Sequence, residues 1–113
     1  MTSPGRVAAA LAGLAAVGLS TACGPPRSGL SVGELWAANC VRCHAEDGRG
    51  IRAQRALDPK LDLVASELAR GGDRGLVYQR IAWGYAGMPG FGHKLEQGDL
   101  ELLTDYVLEL AKE

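Results

Sequence analysis

Cys40-Val41-Arg42-Cys43-His44 is the stretch of this 113-residue chain that decides its fold. Two cysteines three positions apart lie on one face of a helical turn, so both sulfurs can bond the two vinyl groups of a single porphyrin. The histidine that follows then projects toward the iron as its proximal ligand. This spacing is the pattern of c-type haem attachment, and it predicts one covalent haem c held by Cys40, Cys43 and His44.

Other chemistries also use closely spaced cysteines. Outside the cytosol, Cys40 and Cys43 could form a structural disulfide. A thioredoxin-like pair would need a βαβ context, whereas the flanking sequence has a helical pattern. Zinc needs four ligands, and only His44 and His93 could join the two cysteines. These alternatives stay open at the level of this motif alone.

Met88 is the predicted second axial ligand of the iron. It lies in Gly87-Met88-Pro89-Gly90, a loop rich in helix-breaking residues rather than an apolar helix face. A thioether is a soft ligand suited to haem iron, and Pro89 stiffens the backbone that presents it. His93, five residues later, is the rival ligand, with a solvated surface histidine as its alternative.

The composition is that of one ordinary globular domain with a small core. Hydrophobic residues make up 47% and charged residues 22%, and the formal net charge is −1, which gives no reason to expect nucleic-acid binding. Aromatic residues are only 5%, while glycine reaches 16 residues. A chain this small with so few large side chains needs another group to fill its centre.

The N-terminus has the features of an export signal. Residues 1–22 combine one early positive charge, Arg6, with a short apolar stretch over residues 7–19, which favours a processed signal over an uncleaved anchor. No apolar run approaches the roughly 18 residues of a membrane span.

Cys23 directly follows this signal. Residues 19–23 resemble a bacterial lipoprotein processing site, although Ser20 and Ala22 also fit ordinary signal cleavage. We therefore expect a signal peptide at 1–22, a tether at 23–30 and a haem domain at 31–113. The expected location is the periplasm, with a membrane attachment through a lipid on Cys23.

The remaining chain has helical periodicity and no convincing strand pattern, so the predicted fold is all-α. A helix is expected over 31–43 and a loop over 45–60. Further helices are expected over 61–70 and from Asp73 to near Gly84. The last helix is the clearest, because its apolar residues repeat at helical spacing: Leu100, Leu103, Val107 and Leu110.

Taken together, these elements resemble a class I c-type cytochrome of the small bacterial monohaem kind. The resemblance extends from about residue 32 to residue 110. It implies three to five short helices wrapped around one covalently bound haem. The segments that carry it are Trp36 with Cys40–His44, Gly48–Gly50, Asp58–Leu61, Ile81–Gly84, Gly87–Phe91 and Leu102–Val107.

The resemblance also implies roles for single residues. Pro59 would offer its carbonyl oxygen to the second ring nitrogen of His44, which fixes the histidine tautomer. Trp36 on the first helix would pack against Tyr106 on the last.

Two further residues are candidates for contact with the haem, and two others depart from the family pattern. Trp83 and Arg49 could hydrogen-bond the haem propionates, or could serve packing and solvation only. Two positions depart from the family pattern: Ala45 stands where glycine often follows the haem histidine, and Val32 stands where a small residue is usual.

Iron held by both His44 and Met88 has no position open to substrate, so the predicted function is one-electron transfer rather than catalysis. The alternatives are a haem c subunit of a larger oxidoreductase and, if Met88 were labile, a peroxidase-like or gas-binding haem. Unidentified redox proteins are the expected partners. Four arginines near the haem motif could steer an acidic partner or simply form a solvated face: Arg42, Arg49, Arg52 and Arg55.

Overall fold

The computed structural model describes residues 1–2, 4–5, 10, 12–15, 18 and 23–113. The predicted signal lies largely outside them, including Arg6 and the cleavage residues 19–22. Over the described ranges, no helix is both long and apolar enough to cross a membrane.

The all-α prediction is confirmed, since residues 23–113 contain helices and no strand. There are six α-helices in this range rather than three to five, because three of them are single turns. The elements in order are α1 Val32–Asn39, α2 Val41–His44, α3 Arg52–Arg55, the 3₁₀ helix Pro59–Leu61, α4 Glu67–Arg70, α5 Arg74–Trp83 and α6 Gln97–Leu110.

The first helix begins at a capping box and ends at the haem motif. The Glu34 amide donates to the Ser31 hydroxyl at 3.2 Å, and the Ser31 amide donates to the Glu34 carboxylate at 2.8 Å. The single helix predicted over 31–43 is instead two helices. Cys40 leaves regular helical geometry with φ −118°, which separates α1 from the turn of α2.

The middle of the chain differs from the sequence-based expectation. The predicted loop over 45–60 contains α3 and the start of the 3₁₀ helix, and the helix predicted over 61–70 is reduced to α4. Short polar side chains explain this change, because they accept backbone N–H groups that a continuous helix would use. Asp62 accepts from the Ala65 amide at 3.1 Å and Ser66 from the Ala69 amide at 3.3 Å.

Helices α5 and α6 occur as predicted and pack together. The Asp73 side chain caps α5 by accepting from the Leu76 amide at 3.0 Å, and the helix ends before Gly84, whose φ is +77°. Arg74 of α5 donates to the Asp105 carboxylate of α6 at 2.7 Å. The predicted apolar stripe of α6 is buried: Leu100, Leu103, Val107 and Leu110.

The core is small and lies where α1 crosses α6. The Trp36 and Tyr106 rings meet edge to face with centroids 5.0 Å apart, as the resemblance implied. Val32 is half-buried and packs against the same core, so its size is accommodated. The largest fully buried side chains are Leu35, Leu103, Thr104 and Asp99, none of them aromatic. The protein's own side chains therefore fill only a modest interior.

Part of the predicted tether is packed on the domain. Residues 23–30 are not helical, as expected from their proline and glycine. The Gly98 amide of α6 donates to the Pro26 carbonyl at 2.8 Å, and the Ser28 amide donates to the Asp99 carboxylate at 3.1 Å. The folded unit therefore begins inside the segment predicted as a tether.

Candidate haem site

The His44 ring is held in one tautomer. Its Nδ1 lies 2.9 Å from the carbonyl oxygen of Leu61, which can only accept a hydrogen bond, so Nδ1 carries the proton. The other nitrogen, Nε2, then has a lone pair, which is the form a metal ligand needs. The side chain is 9% exposed. A buried imidazole whose Nδ1 bonds a carbonyl oxygen has Nε2 left to coordinate iron.

The acceptor of this hydrogen bond is a correction to the sequence prediction. The Pro59 carbonyl accepts instead from the Asp62 amide at 3.2 Å, within the 3₁₀ turn, and the Leu61 carbonyl faces His44. Gly50 makes this placement sterically possible. A Cβ on Gly50 would lie 3.2 Å from the Leu61 oxygen and 3.0 Å from its Cβ.

Trp36 supports the histidine from the other side. Its ring centroid lies 6.2 Å from that of His44, and its Nε1 donates to the Ala45 carbonyl at 3.1 Å. Ala45 adopts φ 61° and ψ 174°, a backbone region that favours glycine. The departure from the family pattern at Ala45 therefore coincides with local strain beside the predicted iron ligand.

The two predicted attachment cysteines carry thiols that form no disulfide. Cys43 is exposed, while Cys40 is half-buried against the core. Burial raises the pKa of the Cys40 thiol to about 11; the neighbouring Cys43 adds to the rise, and the Lys94 ammonium opposes it. Cys40 is consequently a neutral thiol at neutral pH.

Met88 lies in a tight turn whose backbone closes on itself. The Tyr85 amide donates to the Met88 carbonyl at 3.0 Å, and the Met88 amide donates back to the Tyr85 carbonyl at 2.9 Å. The next residues return to α5, where the Phe91 amide donates to the Ile81 carbonyl at 3.0 Å. Phe91 is buried in the core, and Met88 packs half-buried against it.

Glycine allows this turn to lie directly on the end of α5. A Cβ on Gly90 would lie 2.6 Å from the Trp83 carbonyl carbon and 2.8 Å from the Ala82 oxygen. A Cβ on Gly84 would lie 2.6 Å from the Gly90 nitrogen. None of these three separations is one that a real Cβ adopts. By contrast, Gly87 at the tip of the turn has no atom within 4 Å of such a Cβ.

Cys40 and Met88 both pack, half-buried, against the same buried core. Lys94 follows Phe91 in a turn, with its amide donating to the Phe91 carbonyl at 3.0 Å. Its ammonium is close enough to Cys40 to affect the pKa of that thiol. The segment that carries Met88 and the haem motif therefore share one core.

Three other residues that the sequence singled out lie on the surface. His93 is exposed, in the turn between Phe91 and Lys94. Trp83 is 83% exposed and Arg49 is exposed as well. These two side chains are thus available to a bound group or to solvent.

Sequence reasoning did not single out the residues that position the ligands. Leu61 acts through its carbonyl, which no side-chain pattern reports. Gly84 was expected near a helix end and Gly90 in a helix-breaking loop, but no pattern indicated that the two glycines lie close together.

A surface cavity elsewhere does not coincide with this site. One surface cavity among the described residues has a volume of about 900 Å³ and is lined by residues that include Leu76, Arg80, Trp83 and Glu101. It includes none of the cysteine, histidine or methionine side chains discussed above. The chemistry of the donor groups, rather than the size of a cavity, identifies the site.

The residues present fit a covalently bound haem. Two thiols three positions apart are not paired with each other, and the adjacent buried histidine has its Nε2 lone pair available. The chain also leaves large apolar side chains exposed, among them Leu57 at 89% and Tyr85 at 55%. Such exposure is expected of a small chain whose interior is completed by an apolar group.

Comparisons with known proteins agree with this chemistry. The family model described as cytochrome C oxidase, cbb3-type, subunit III matches residues 29–107. The cbb3-type cytochrome c oxidase subunit FixP of Azorhizobium caulinodans is 37% identical over 79 residues, which cover 69% of this chain and 26% of FixP. This chain thus spans about a quarter of that relative.

Two relatives named cytochrome c6 are matched over most of their own length. The protein of Porphyra purpurea is 32% identical over 79 residues, covering 70% of this chain and 68% of the relative. The protein of Microcystis aeruginosa is 32% identical over 78 residues, covering 69% and 91%. With its all-α fold and donor groups that fit haem, the chain belongs to the small class I c-type cytochromes, in the family described as cytochrome C oxidase, cbb3-type, subunit III.

Proposed function

We propose that this cytochrome is an exported one-electron carrier in which Cys40 and Cys43 hold haem c through thioethers. His44 Nε2 and the Met88 sulfur would hold the iron of that haem. The hydrogen bond from His44 Nδ1 to the Leu61 carbonyl carries the proposal, because it leaves Nε2 as an acceptor in a buried ring.

The haem c of this family supplies reversible one-electron exchange at its iron when bound. Leu61 holds the His44 ring in a single orientation, so the ligand does not rearrange between oxidation states. The closed turn around Met88 presents its thioether from a backbone held at both ends. With His44 and Met88 both holding the iron, the chain would leave no position open to substrate, which favours electron transfer over catalysis.

Exposed arginines near the haem motif support an acidic redox partner. Arg42, Arg49 and Arg52 are exposed. Arg55 differs, because its guanidinium donates to the Arg49 carbonyl at 2.9 Å and lies 3.7 Å from the Asp62 carboxylate. The three exposed cations would attract a negatively charged partner and raise the association rate at low salt.

In the cell we place this carrier outside the cytoplasm, on a membrane. Residues 1–22 would be removed as a signal, and Cys23 would then be acylated at the mature N-terminus. The proposed domain spans residues 31–113, preceded by the segment 23–30.

A subunit of a larger oxidoreductase is the second candidate. The similarity to FixP favours it, because a module like this chain corresponds to about a quarter of an oxidase subunit. Size-exclusion chromatography of the mildly solubilised native protein separates the two candidates. A carrier elutes at the size of this chain alone, and a subunit elutes as a larger complex.

The test of the site uses the exported, haem-loaded protein and two matched variants. We expect a denatured mass equal to the processed chain plus one haem. Met88→Ala should lose the charge-transfer absorption of a thioether-ligated ferric haem and should bind carbon monoxide in the ferrous state. His93→Ala should do neither, because His93 is an exposed residue outside the proposed ligand pair.

Three results would contradict parts of the proposal. Carbon monoxide binding by the unaltered ferrous protein would reject the closed His/Met site. A His93→Ala variant that behaves like Met88→Ala would assign the ligand to His93. A colourless chain from a host able to attach haem would reject haem attachment at Cys40 and Cys43.

A further inference from the structure

The segment Pro26–Ser28, here called the strap, is bonded to the start of α6. The Pro26 carbonyl accepts from the Gly98 amide at 2.8 Å. The Ser28 amide donates to both oxygens of the Asp99 carboxylate, at 3.3 and 3.1 Å. The first of these bonds satisfies one of the N–H groups that a helix leaves without a partner in its first turn.

Two residues of α6 are shaped for the strap. Asp99 has no exposed surface, so the strap covers a carboxylate that would otherwise face water. Gly98 is buried, and a Cβ there would lie 2.7 Å from the Pro26 oxygen and 3.1 Å from the Arg27 Cδ. Only glycine permits the strap to approach this closely. A passive linker would require neither feature.

The strap leaves very little chain between the domain and Cys23. Only Gly24 and Pro25 separate Cys23 from Pro26. Three residue steps span at most about 11 Å when fully extended. A lipid on Cys23 would therefore hold the start of α6 within about that distance of the bilayer surface. Arg27 in the strap is exposed, and its cation can bind anionic headgroups.

We propose that the strap fixes the orientation of the haem domain on a lipid surface, with the N-terminal end of α6 facing the bilayer. This inference rests on the proposed attachment through Cys23. As a consequence, the domain presents one constant face to redox partners in or on the membrane. A domain on a flexible linker would instead rotate freely.

The test uses the haem-loaded mature chain with a maleimide lipid coupled to Cys23. Cys40 and Cys43 are held in thioethers in that protein, so Cys23 is its one reactive thiol. Linear dichroism of the haem absorption in oriented bilayers reports the orientation of the domain. We expect clear dichroism for the unaltered chain and a fall to the isotropic value when four Gly and Ser residues are inserted after Gly24.

A second variant acts on the strap itself. Gly98→Ala should abolish the dichroism and expose the Ser28 amide to hydrogen exchange. The matched control is Gly33→Ala, an exposed position in α1 where a Cβ has no atom closer than 4.0 Å, and it should change neither readout. The insertion keeps the experiment decisive if Gly98→Ala fails to fold, because it leaves every strap contact in place.

The failures of the two proposals can be told apart. If the lipid-coupled unaltered chain shows no dichroism, the proposed fixed orientation is wrong. Dichroism that survives the insertion would overturn it as well. A native membrane fraction whose mature chain lacks acyl groups overturns the lipid attachment in the proposed function, while the coupled protein still tests the strap.

Discussion

The segments that carry His44 and Met88 are held in place by different means. The histidine is fixed through its side chain, by a hydrogen bond to the Leu61 carbonyl and by the Trp36 ring. The methionine is presented by backbone, since its turn is closed by amide bonds between Tyr85 and Met88 and the chain then returns to α5. One ligand is fixed by its surroundings and the other by the path of the chain.

This difference has a consequence for mutation. The His44 side has one close approach, at Gly50, where a Cβ would lie 3.0 to 3.2 Å from Leu61 atoms. The Met88 side has two tighter ones, at Gly84 and Gly90, where a Cβ would lie 2.5 to 2.8 Å from backbone atoms. In the proposed site, Met88 is therefore the ligand that a single methyl group would dislodge, while the thioethers would keep the haem bound. Substitutions on the His44 side and on the Met88 side test this contrast.

The largest effect is expected at Gly90. In Gly90→Ala the new Cβ would meet the Trp83 and Ala82 backbone at 2.6 to 2.8 Å, so the turn must move away from α5. We expect a loss of about 1–3 kcal/mol in unfolding free energy, typical of overpacking, together with carbon monoxide binding in the ferrous state. Denaturant titration and ferrous difference spectra measure the two effects.

Gly87→Ala is the matched control for this change. It adds the same methyl group to the same turn, where no atom lies within 4 Å, and should leave stability and spectra near their original values. Equal effects of the two variants would show that general loosening of the loop, rather than its approach to α5, dislodges Met88.

A smaller effect is expected at Gly50, on the histidine side. In Gly50→Ala the Cβ crowds the Leu61 backbone, and alanine is strained at φ +82°. We expect a loss of about 1 kcal/mol or more. The hydrogen bond from Nδ1 makes the imidazole a better electron donor and favours ferric iron, so its weakening should raise the reduction potential. A redox titration with unchanged potential would contradict this role of Leu61.

Ala45→Gly should raise the stability of the protein, whereas Gly90→Ala and Gly50→Ala should lower it. Glycine adopts φ 61° and ψ 174° without steric cost, whereas alanine is strained there, so we expect a gain of about 1 kcal/mol. Thermal unfolding measures it. Ala56→Gly is the control, because Ala56 has φ −61° and the same exchange should lower stability. A loss at both positions would reject the strain at Ala45.

The smallest effect is expected away from both ligands, at the exposed pair of Arg74 and Asp105. The hydrogen bond from Arg74 lowers the pKa of the Asp105 carboxyl. Its contribution is therefore present above the ordinary carboxyl pKa, near 3.8, and is lost as the pH falls through the lowered value. Asp105→Asn should slightly lower the melting temperature at neutral pH and not in strong acid. An equal loss at both pH values would contradict it.

Much of the fold could be predicted because it follows from side-chain pattern. The stripe of Leu100, Leu103 and Val107 gave α6, and Asp73 gave the start of α5. The middle of the chain was less predictable, since Asp62 and Ser66 compete for backbone amides locally and shorten the expected helix.

At the site, the sequence indicated which residues have suitable donor atoms but not what positions them. The acceptor for His44 was expected at Pro59 and lies at Leu61, because the close approach of Gly50 decides which carbonyl faces the ring. The docking of Pro26 and Ser28 on α6 was missed for a similar reason. Backbone contacts between distant segments leave no periodic pattern in a sequence.

Helix α6 contacts the strap at its first turn and the segment after the haem motif near its last turn. These contacts affect the order in which the parts of an exported chain fold. The first turn of α6 holds the strap, and near its last turn Leu110 fills the space beside Gly48, where a Cβ would lie 2.7 Å from the Leu110 Cδ1. A chain that crosses a membrane N-terminus first presents Cys40–His44 before this helix emerges. Contacts between parts so far apart in sequence form late. In an exported chain, haem attachment at Cys40 and Cys43 would thus take place on an uncovered motif, and folding would close over it only after α6 has emerged.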